Sequence, residues 1–165
     1  MMKKIAVAIL SLMFLSGCSL FSDEEREMEQ TIPEITLKSS PNTEIKATRC
    51  GFTWLGATTK AYLPTPQEFF KDEKLVRVNK TDQIRVTTEN EVRMGLFKKV
   101  DLDSMHLALV HDSGEFEQVA LTERDDGRWE FSMPQKSGKY MYVLEEGYQN
   151  GDYEVSYYFG LDISE

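Results

Sequence analysis

Cys18 is the residue whose type and position most clearly suggest chemistry. It follows two small residues at the end of the apolar stretch 5–15, and Lys3 and Lys4 precede that stretch. A basic start, an apolar stretch and small residues at its end are the layout of a secretory signal peptide with its cleavage site. The stretch is shorter than the roughly 20 apolar residues that span a bilayer. The sequence therefore predicts export, with a cysteine thiol directly after the cleavage point.

The run Leu15-Ser16-Gly17-Cys18 is similar to the lipobox of bacterial lipoprotein signals. This resemblance implies that a diacylglyceryl group is attached to the Cys18 thiol and that the chain is cut just before it. It leaves open a second acyl chain on the new amino terminus, which would make the anchoring stable. We expect residues 1–17 to be removed, Cys18 to be the lipid attachment site, and the protein to face the extracytoplasmic side of the cell membrane. An ordinary export signal with an incidental cysteine is the alternative.

The two histidines are the next residues that could do chemistry. His106 and His111 lie an odd number of residues apart on a predicted strand. Their side chains should therefore point to opposite faces, where they cannot share a metal ion. His111, Asp112 and Ser113 are residue types of a catalytic triad, but neighbours in a tight turn seldom converge.

Three acidic residues, Glu123, Asp125 and Asp126, could offer carboxylates to calcium, but their spacing is not that of a calcium loop. A plain hairpin turn is the favoured interpretation. The sequence contains no glycine loop for phosphate and no paired-cysteine metal site. We predict no catalytic residues, no cofactor and no bound metal, and expect the protein not to be an enzyme.

Charge and length narrow the class of protein further. The 165 residues carry a net charge of −9, and removal of residues 1–17 leaves 17 basic against 28 acidic residues, a net charge of −11. Such a chain is repelled by nucleic acid and by anionic lipid, so membrane attachment should depend on the lipid at Cys18. About 148 residues remain after cleavage, enough for one domain with a core. We expect a monomer that does not bind nucleic acid.

The second cysteine, Cys50, has no partner if Cys18 carries lipid, so no disulfide is expected within the chain. Because Phe52, Trp54 and Leu55 are close in sequence, we favour a buried apolar role for Cys50. A reactive thiol or an intermolecular disulfide is the alternative.

Residues 18–43 are interpreted as a flexible acidic tether, because residues 23–29 are mostly acidic and no sustained apolar stripe is present. Ser22 and Glu25 have the spacing of a capping box, which allows a short helix. The favoured role is a solvated spacer, with cation binding or partner docking as the alternative.

Residues 44–165 are predicted to form an antiparallel β-sandwich with one short helix. Apolar and polar residues alternate over 153–164, and shorter alternating runs precede them, separated by turn residues at Thr81-Asp82, Ser113-Gly114 and Asp126-Gly127. The helix begins after Thr65, with Pro66 in its first turn and Glu68 at the capping-box position. Residues 98–99 and 101–104 are interpreted as loop.

Five short motifs carry a family resemblance: CGFTW at 50–54, PTPQEFF at 64–70, residues 78–86, PQKSGKYMY at 134–142, and GDY at 151–153 with the aromatic pair at 158–159. In this order they resemble a group of small uncharacterised lipoproteins of Gram-positive bacteria. Thr53 directly precedes Trp54 where the group has cysteine, and no second cysteine follows, so no disulfide is carried over. The resemblance implies no activity.

The segment from Ser137 to Tyr142 is similar to the tyrosine corner of immunoglobulin-like domains, which predicts an Ig-like sandwich. Tyr140 is then the residue whose hydroxyl bonds back to the backbone, and Tyr142 stands where antibody domains have their second cysteine. The alternative is that Tyr140, Tyr142, Tyr157 and Tyr158 stack against a ligand.

These observations predict a lipid-anchored, extracytoplasmic binding module of the cell envelope, whose partner is an unknown envelope protein or wall polymer. A lipoprotein that binds a small ligand through exposed tyrosines is the first alternative. A hydrolase is the second, and it would need convergent acid and base groups that the sequence does not reveal.

Overall fold

The computed structural model describes residues 31–40, 42–60, 63–94 and 98–165. The predicted signal peptide, Cys18 and the acidic run 23–29 lie outside the described residues. Pro33–Glu165 forms a compact unit by itself.

Thirteen strands and one helix lie in the described part of the chain. The strands are β1 (Thr36–Ser39), β2 (Thr43–Ile45), β3 (Thr48–Trp54), β4 (Ala57–Lys60), β5 (Val76–Asn79), β6 (Gln83–Thr87), β7 (Glu91–Met94), β8 (Lys98–Val110), β9 (Phe116–Val119), β10 (Thr122–Glu123), β11 (Trp129–Ser132), β12 (Gly138–Tyr148) and β13 (Tyr153–Ser164), and the helix is α1 (Pro66–Asp72).

The strands form two sheets. Sheet A has the order β10-β11-β6-β1-β2, and sheet B has the order β4-β3-β13-β12-β8-β7. In sheet B, β9 pairs with the second half of β8, and β5 pairs with the end of β13. The all-β class with antiparallel sheets is confirmed, except that β5 runs parallel to β13.

The main core lies between the sheets and follows the period-two pattern of the strands. Its fully buried members come from both sheets: Leu37, Ile84 and Val86 from sheet A, and Leu107, Leu144, Phe159 and Leu161 from sheet B. The predicted final strand, 153–164, is confirmed as β13, with its alternate residues from Val155 to Ile163 in the core.

Helix α1 covers part of the other face of sheet B. Its predicted start is confirmed: the Thr65 hydroxyl accepts a hydrogen bond from the backbone N–H of Glu68, and the Glu68 carboxylate accepts one from the backbone N–H of Thr65. Phe69 packs on Met141 and Val143. The helix can lie this close to sheet B because β13 has a glycine beneath it, and a Cβ atom at Gly160 would clash with Phe69.

The predicted boundary between tether and domain, with the tether at 18–43 and the domain at 44–165, is wrong in its described part. Strand β1 lies inside sheet A between β6 and β2, and Leu37 and Ser39 are buried. Strand β1 has polar neighbours in the sequence, and it is held in the sheet by pairing with β6, more than 40 residues further along the chain. Sheet A therefore includes residues that were predicted, from the acidic composition of this region, to belong to the tether.

The predicted loops at 98–99 and 101–104 are also wrong, because β8 begins at Lys98 and runs for 13 residues. Val100 and Leu102 point toward the interior while Asp101 and Asp103 are exposed, so the charged residues occupy the solvent face of a strand.

The expected burial of Cys50 is confirmed. Cys50 has no partner residue in the pairing of β3 with β13, because β3 has a bulge at this position. Burial raises the pKa of the Cys50 thiol to about 11.

Candidate functional site

A cleft opens between the two sheets at the β8–β9 side. Its volume is about 620 Å³. Its walls come from β8, β9, the end of β11, the connection from β11 to β12, and the start of β12, and its lining residues are Leu109, His111, Glu117, Gln118, Val119, Ser132, Met133, Pro134, Gln135, Lys136, Tyr140 and Tyr142.

The cleft exists because the sheets end unevenly on this side. Strand β10 has two residues and pairs only with Trp129 and Glu130 of β11. Among the described residues, no strand therefore lies beside Phe131 and Ser132 on that side. Sheet B extends further, through β9, and its inward-facing Leu109 and Val119 remain half-buried.

Tyr142 forms the aromatic floor of the cleft. Its side chain is 1% exposed and stacks on Phe159, with ring centroids 5.1 Å apart and an angle of 15°. Its hydroxyl makes no hydrogen bond with any described group. Burial raises the pKa of Tyr142, and Tyr140 and Glu117 raise it further. Tyr142 is one of the lining residues of the cleft, but its hydroxyl oxygen is buried.

Tyr140 is two residues earlier on the same face of β12, and its hydroxyl has a partner. It donates to the backbone carbonyl oxygen of Lys136 at 2.9 Å. The predicted bond from Tyr140 back to the backbone is confirmed. It fixes the end of the β11–β12 connection, which is one wall of the cleft.

The rim of the cleft is polar. The His111 Nε2 atom lies 2.9 Å from a carboxylate oxygen of Glu117, and both side chains are partly exposed. Lys136 and Gln135 are exposed on the opposite side. The site thus combines an apolar interior with a charged entrance, the usual composition of a small-molecule pocket.

The residues of the triad hypothesis do not come together. His111 pairs with Glu117, while the Ser113 hydroxyl donates to Glu115 at 3.2 Å. His106 is exposed on the outer face of sheet B, whereas His111 lines the inter-sheet cleft. The prediction that the two histidines face opposite sides is confirmed.

The acidic residues considered for calcium form a hairpin turn. Gly127 has a φ of +74°, and its N–H donates to the carbonyl of Arg124 in the β10–β11 turn. The Asp126 carboxylate is engaged by the guanidinium of Arg128, which lowers the pKa of Asp126. Within the described ranges, no three acidic, histidine or cysteine side chains form a group that could hold a metal ion.

Three of the four tyrosines that could stack against a ligand, Tyr142, Tyr157 and Tyr158, contact other groups of the chain. The Tyr157 hydroxyl donates to the carbonyl of Pro33 in the interior. Tyr158 makes an edge-to-face contact with Phe69, with centroids 5.3 Å apart. The rings of Tyr142 and Tyr157 are buried, and that of Tyr158 is half-buried.

Glu146 is a buried acid that sequence reasoning missed. It is 1% exposed, and one carboxylate oxygen accepts a hydrogen bond from the Tyr148 hydroxyl at 3.1 Å. Burial raises its pKa to about 7, against smaller lowering contributions from hydrogen bonds with Thr88 and Tyr148. The signal available in the sequence was its position two residues after Leu144 in an alternating strand, because such residues share a face. Because it is sealed inside the sandwich, it cannot reach a substrate in the cleft.

The outer face of sheet B carries a second, smaller cleft of about 220 Å³ beside Phe116, which is 58% exposed. Ala108 and Val143 form its apolar part, and His106 and Glu145 form its polar part. This face is therefore a candidate contact surface.

The chain matches no known protein-family profile, no curated protein and no solved structure. In the part of the chain that the structure describes, no helix has both the length and the hydropathy needed to cross a membrane.

Proposed function

We propose that the protein is a non-catalytic binding module of the cell envelope, held by a lipid on Cys18 at the outer side of the cytoplasmic membrane. The observation that carries the binding part is the inter-sheet cleft with its apolar floor at Tyr142. The lipobox Leu15-Ser16-Gly17-Cys18 supports the anchoring part. The resemblance to small lipoproteins of Gram-positive bacteria supports the same location.

The non-catalytic part of the proposal is supported by where the titratable groups lie. His111 and Glu117, 2.9 Å apart, are at the partly exposed rim of the cleft and not in its apolar interior. The carboxyl group with a pKa near neutrality, Glu146, lies outside the cleft lining and is buried. General acid–base catalysis needs such a group within hydrogen-bond reach of the substrate.

An Ig-like arrangement is part of this proposal. The Tyr140 hydroxyl bonds to the backbone carbonyl of Lys136 four residues upstream, the relation expected of a tyrosine corner. The two sheets share one core, with Phe131 from sheet A packed against Tyr142 from sheet B. A rigid scaffold of this kind can present a cleft at the place where its sheets separate.

A macromolecular partner is the second candidate, and the exposed ring of Phe116 favours it. An aromatic residue beside Ala108 and Val143 could anchor an envelope protein or wall polymer on the outer face of sheet B. The two candidates use opposite faces of sheet B, so single substitutions separate them.

Binding is tested by thermal unfolding of the protein with fractionated envelope material. If the inter-sheet cleft binds a ligand, a fraction will raise the unfolding temperature of the wild type but not of Val119→Trp, which fills the cleft. Phe116→Ser, the matched control on the outer face, should retain the stabilisation. Retention by Val119→Trp with loss in Phe116→Ser would favour the macromolecular contact. Stabilisation of neither wild type nor variants would contradict a binding module.

Anchoring is tested by replacing each of the two cysteines. Cys18→Ala should abolish labelling by a radioactive fatty acid and release the protein from membranes. Cys50→Ala is the matched control, because Cys50 is buried in β3 and should leave both unchanged. Full membrane retention and normal processing of Cys18→Ala would contradict the anchor.

A further inference from the structure

We propose that the free edge of β9 binds an extended, basic peptide segment of an exported protein. The segment adds to sheet B as a further strand, with an apolar side chain in the inter-sheet cleft and a basic side chain beside Phe116. This inference rests on the proposed function as a binding module and names the class of its partner.

Strand β9 is an edge strand with one unpaired side. Among the described residues it pairs with β8 alone, and residues 116–118 are exposed. At the start of this ladder the backbone N–H of His111 donates to the carbonyl oxygen of Glu115. Every second residue from Glu115 onward therefore bonds to β8, as in any antiparallel ladder. The N–H and C=O groups of Phe116 and Gln118 point the other way, toward the free edge, where an added strand would bond to them.

Two clefts lie on opposite faces of this edge. Glu117 and Val119 belong to the lining of the inter-sheet cleft, whereas Phe116 belongs to the lining of the outer cleft. Successive side chains of a strand point to opposite faces, so a strand added along β9 would direct them alternately at the two clefts. Recognition of extended peptides uses this combination, with backbone bonds for affinity and pockets on alternate sides for specificity.

The inter-sheet cleft selects an apolar side chain. Leu109, Val119 and Met133 line it, and its volume of about 620 Å³ exceeds that of one aromatic side chain. A large apolar side chain of the added strand would leave water there, and burial of apolar surface is the main favourable contribution to most protein association. We therefore expect an aromatic or large aliphatic residue in the partner at the position beside Glu117.

The outer cleft selects a basic side chain. The ring of Phe116 is 58% exposed, and Glu145 presents an exposed carboxylate to the same cleft. A lysine or arginine can place its cation over an aromatic face and bond to a carboxylate. The lining of the two clefts includes one lysine, Lys136, and no arginine, and Lys136 is on the inter-sheet side. The outer side of the edge therefore attracts a basic peptide and repels an anionic polymer.

Four blocked hexapeptides test the inference by calorimetric titration into the full chain in detergent. The parent is Thr-Lys-Phe-Lys-Phe-Thr, the second is N-methylated at both lysines, the third is N-methylated at both phenylalanines, and the fourth has glutamate in place of lysine. The two N-methylated peptides report on opposite edges of the added strand, and only one edge bonds to β9. One of them should bind about tenfold more weakly than the parent, through the loss of two backbone bonds, and the other should bind equally well.

The glutamate peptide should also bind about tenfold more weakly than the parent, because the sign of its charge is reversed. Equal effects of the two N-methylations would overturn strand addition. Equal affinity of the lysine and glutamate peptides would overturn the basic partner.

Gln118→Pro provides the readout on the protein. The N–H of Gln118 points to the free edge, so proline costs no bond to β8 and is tolerated at such a position. Gln118→Pro should bind the parent peptide about tenfold more weakly than the wild type, whereas the matched control Gln118→Ala keeps the N–H and should bind it equally well. Equal affinity of the two variants would overturn pairing along β9. If Gln118→Pro fails to fold, the two N-methylated peptides still decide.

The natural partner is tested with an envelope fraction that raises the unfolding temperature of the protein. Digestion of this fraction with an immobilised protease should abolish the stabilisation, because the partner is a peptide segment. Stabilisation that survives digestion would overturn this inference in favour of a wall polymer or a small ligand, and the proposed binding module would stand. Absence of stabilisation by any fraction would instead contradict the proposed function itself.

Discussion

The hydroxyl of Tyr140 donates to the backbone carbonyl oxygen of Lys136, 2.9 Å away, and so closes the turn that leads from sheet A into β12. Lys136 belongs to the wall of the inter-sheet cleft, and Tyr140 belongs to the strand that carries its floor. One hydrogen bond thus holds the wall of the cleft next to its floor.

Tyr140→Phe removes this bond and leaves the ring in place. We expect a loss of about 1 kcal/mol in the free energy of unfolding, the typical net contribution of one hydrogen bond. Urea denaturation of the wild type and the variant measures the difference. An unchanged unfolding midpoint would show that the bond does not stabilise the fold.

Gly160→Ala should separate α1 from sheet B. A Cβ atom at Gly160 would lie 2.5 Å from Phe69 Cε1 and 2.6 Å from Leu75 Cδ2, far inside contact distance. Overpacking of this kind costs about 1–3 kcal/mol. A double-mutant cycle with Phe69→Ala is the control: the two losses should be less than additive, because Phe69→Ala removes one of the two closest contacts. Strict additivity would contradict the close approach.

Glu146 should make stability fall as the pH rises. Its pKa is about 7 in the folded protein, raised by burial from 4.5, so the folded state favours the protonated carboxyl. The unfolded chain releases the proton more readily, and the fold therefore loses stability between about pH 4.5 and pH 7. The loss is on the order of 3 kcal/mol, at 1.36 kcal/mol for each pKa unit.

Glu146→Gln should remove this pH dependence and raise stability at pH 8 relative to the wild type. Urea denaturation at pH 5 and pH 8 gives the comparison. Tyr148→Phe is a useful second variant, since the Tyr148 hydroxyl donates to Glu146. A wild type whose stability does not change over this pH range would contradict the raised pKa.

Leu37→Ala should cost about 2–5 kcal/mol, the usual range for a fully buried leucine. Lys38→Ala, in the same strand with its side chain on the opposite face, is the matched control and should change stability by less than about 0.5 kcal/mol. A chain shortened to begin near Ile45 lacks β1 and should not fold stably. Equal effects of the two substitutions would mean that β1 is not part of the core.

The sequence predicted those elements whose own pattern decides their structure. The alternation over 153–164 suffices for β13, and Thr65, Pro66 and Glu68 suffice for the start of α1. Strand β1 could not be predicted, because four residues with polar neighbours carry little pattern of their own. Leu37 is placed by pairing with Val86, far along the chain.

The cleft was less predictable than the fold. Tyr140 could be assigned its bond because the partner lies four residues away. Tyr142 follows the same alternation along β12, but the surroundings of its hydroxyl depend on where β10 ends in the other sheet. The burial of Glu146 likewise depends on what covers β12. The burial and hydrogen bonding of these side chains depend on how the two sheets pack together, and the alternation along a single strand does not carry that information.

The most direct test of the binding cleft is an NMR titration of the full chain, labelled at its methionine methyl groups, with the envelope fraction that raises its unfolding temperature. Met133 lines the cleft, whereas Met141 packs beneath α1 on the other face of sheet B. Binding between the sheets should shift the Met133 methyl resonance and leave that of Met141 in place. An unmoved Met133 resonance, or a larger shift at Met141, would contradict a binding site between the sheets.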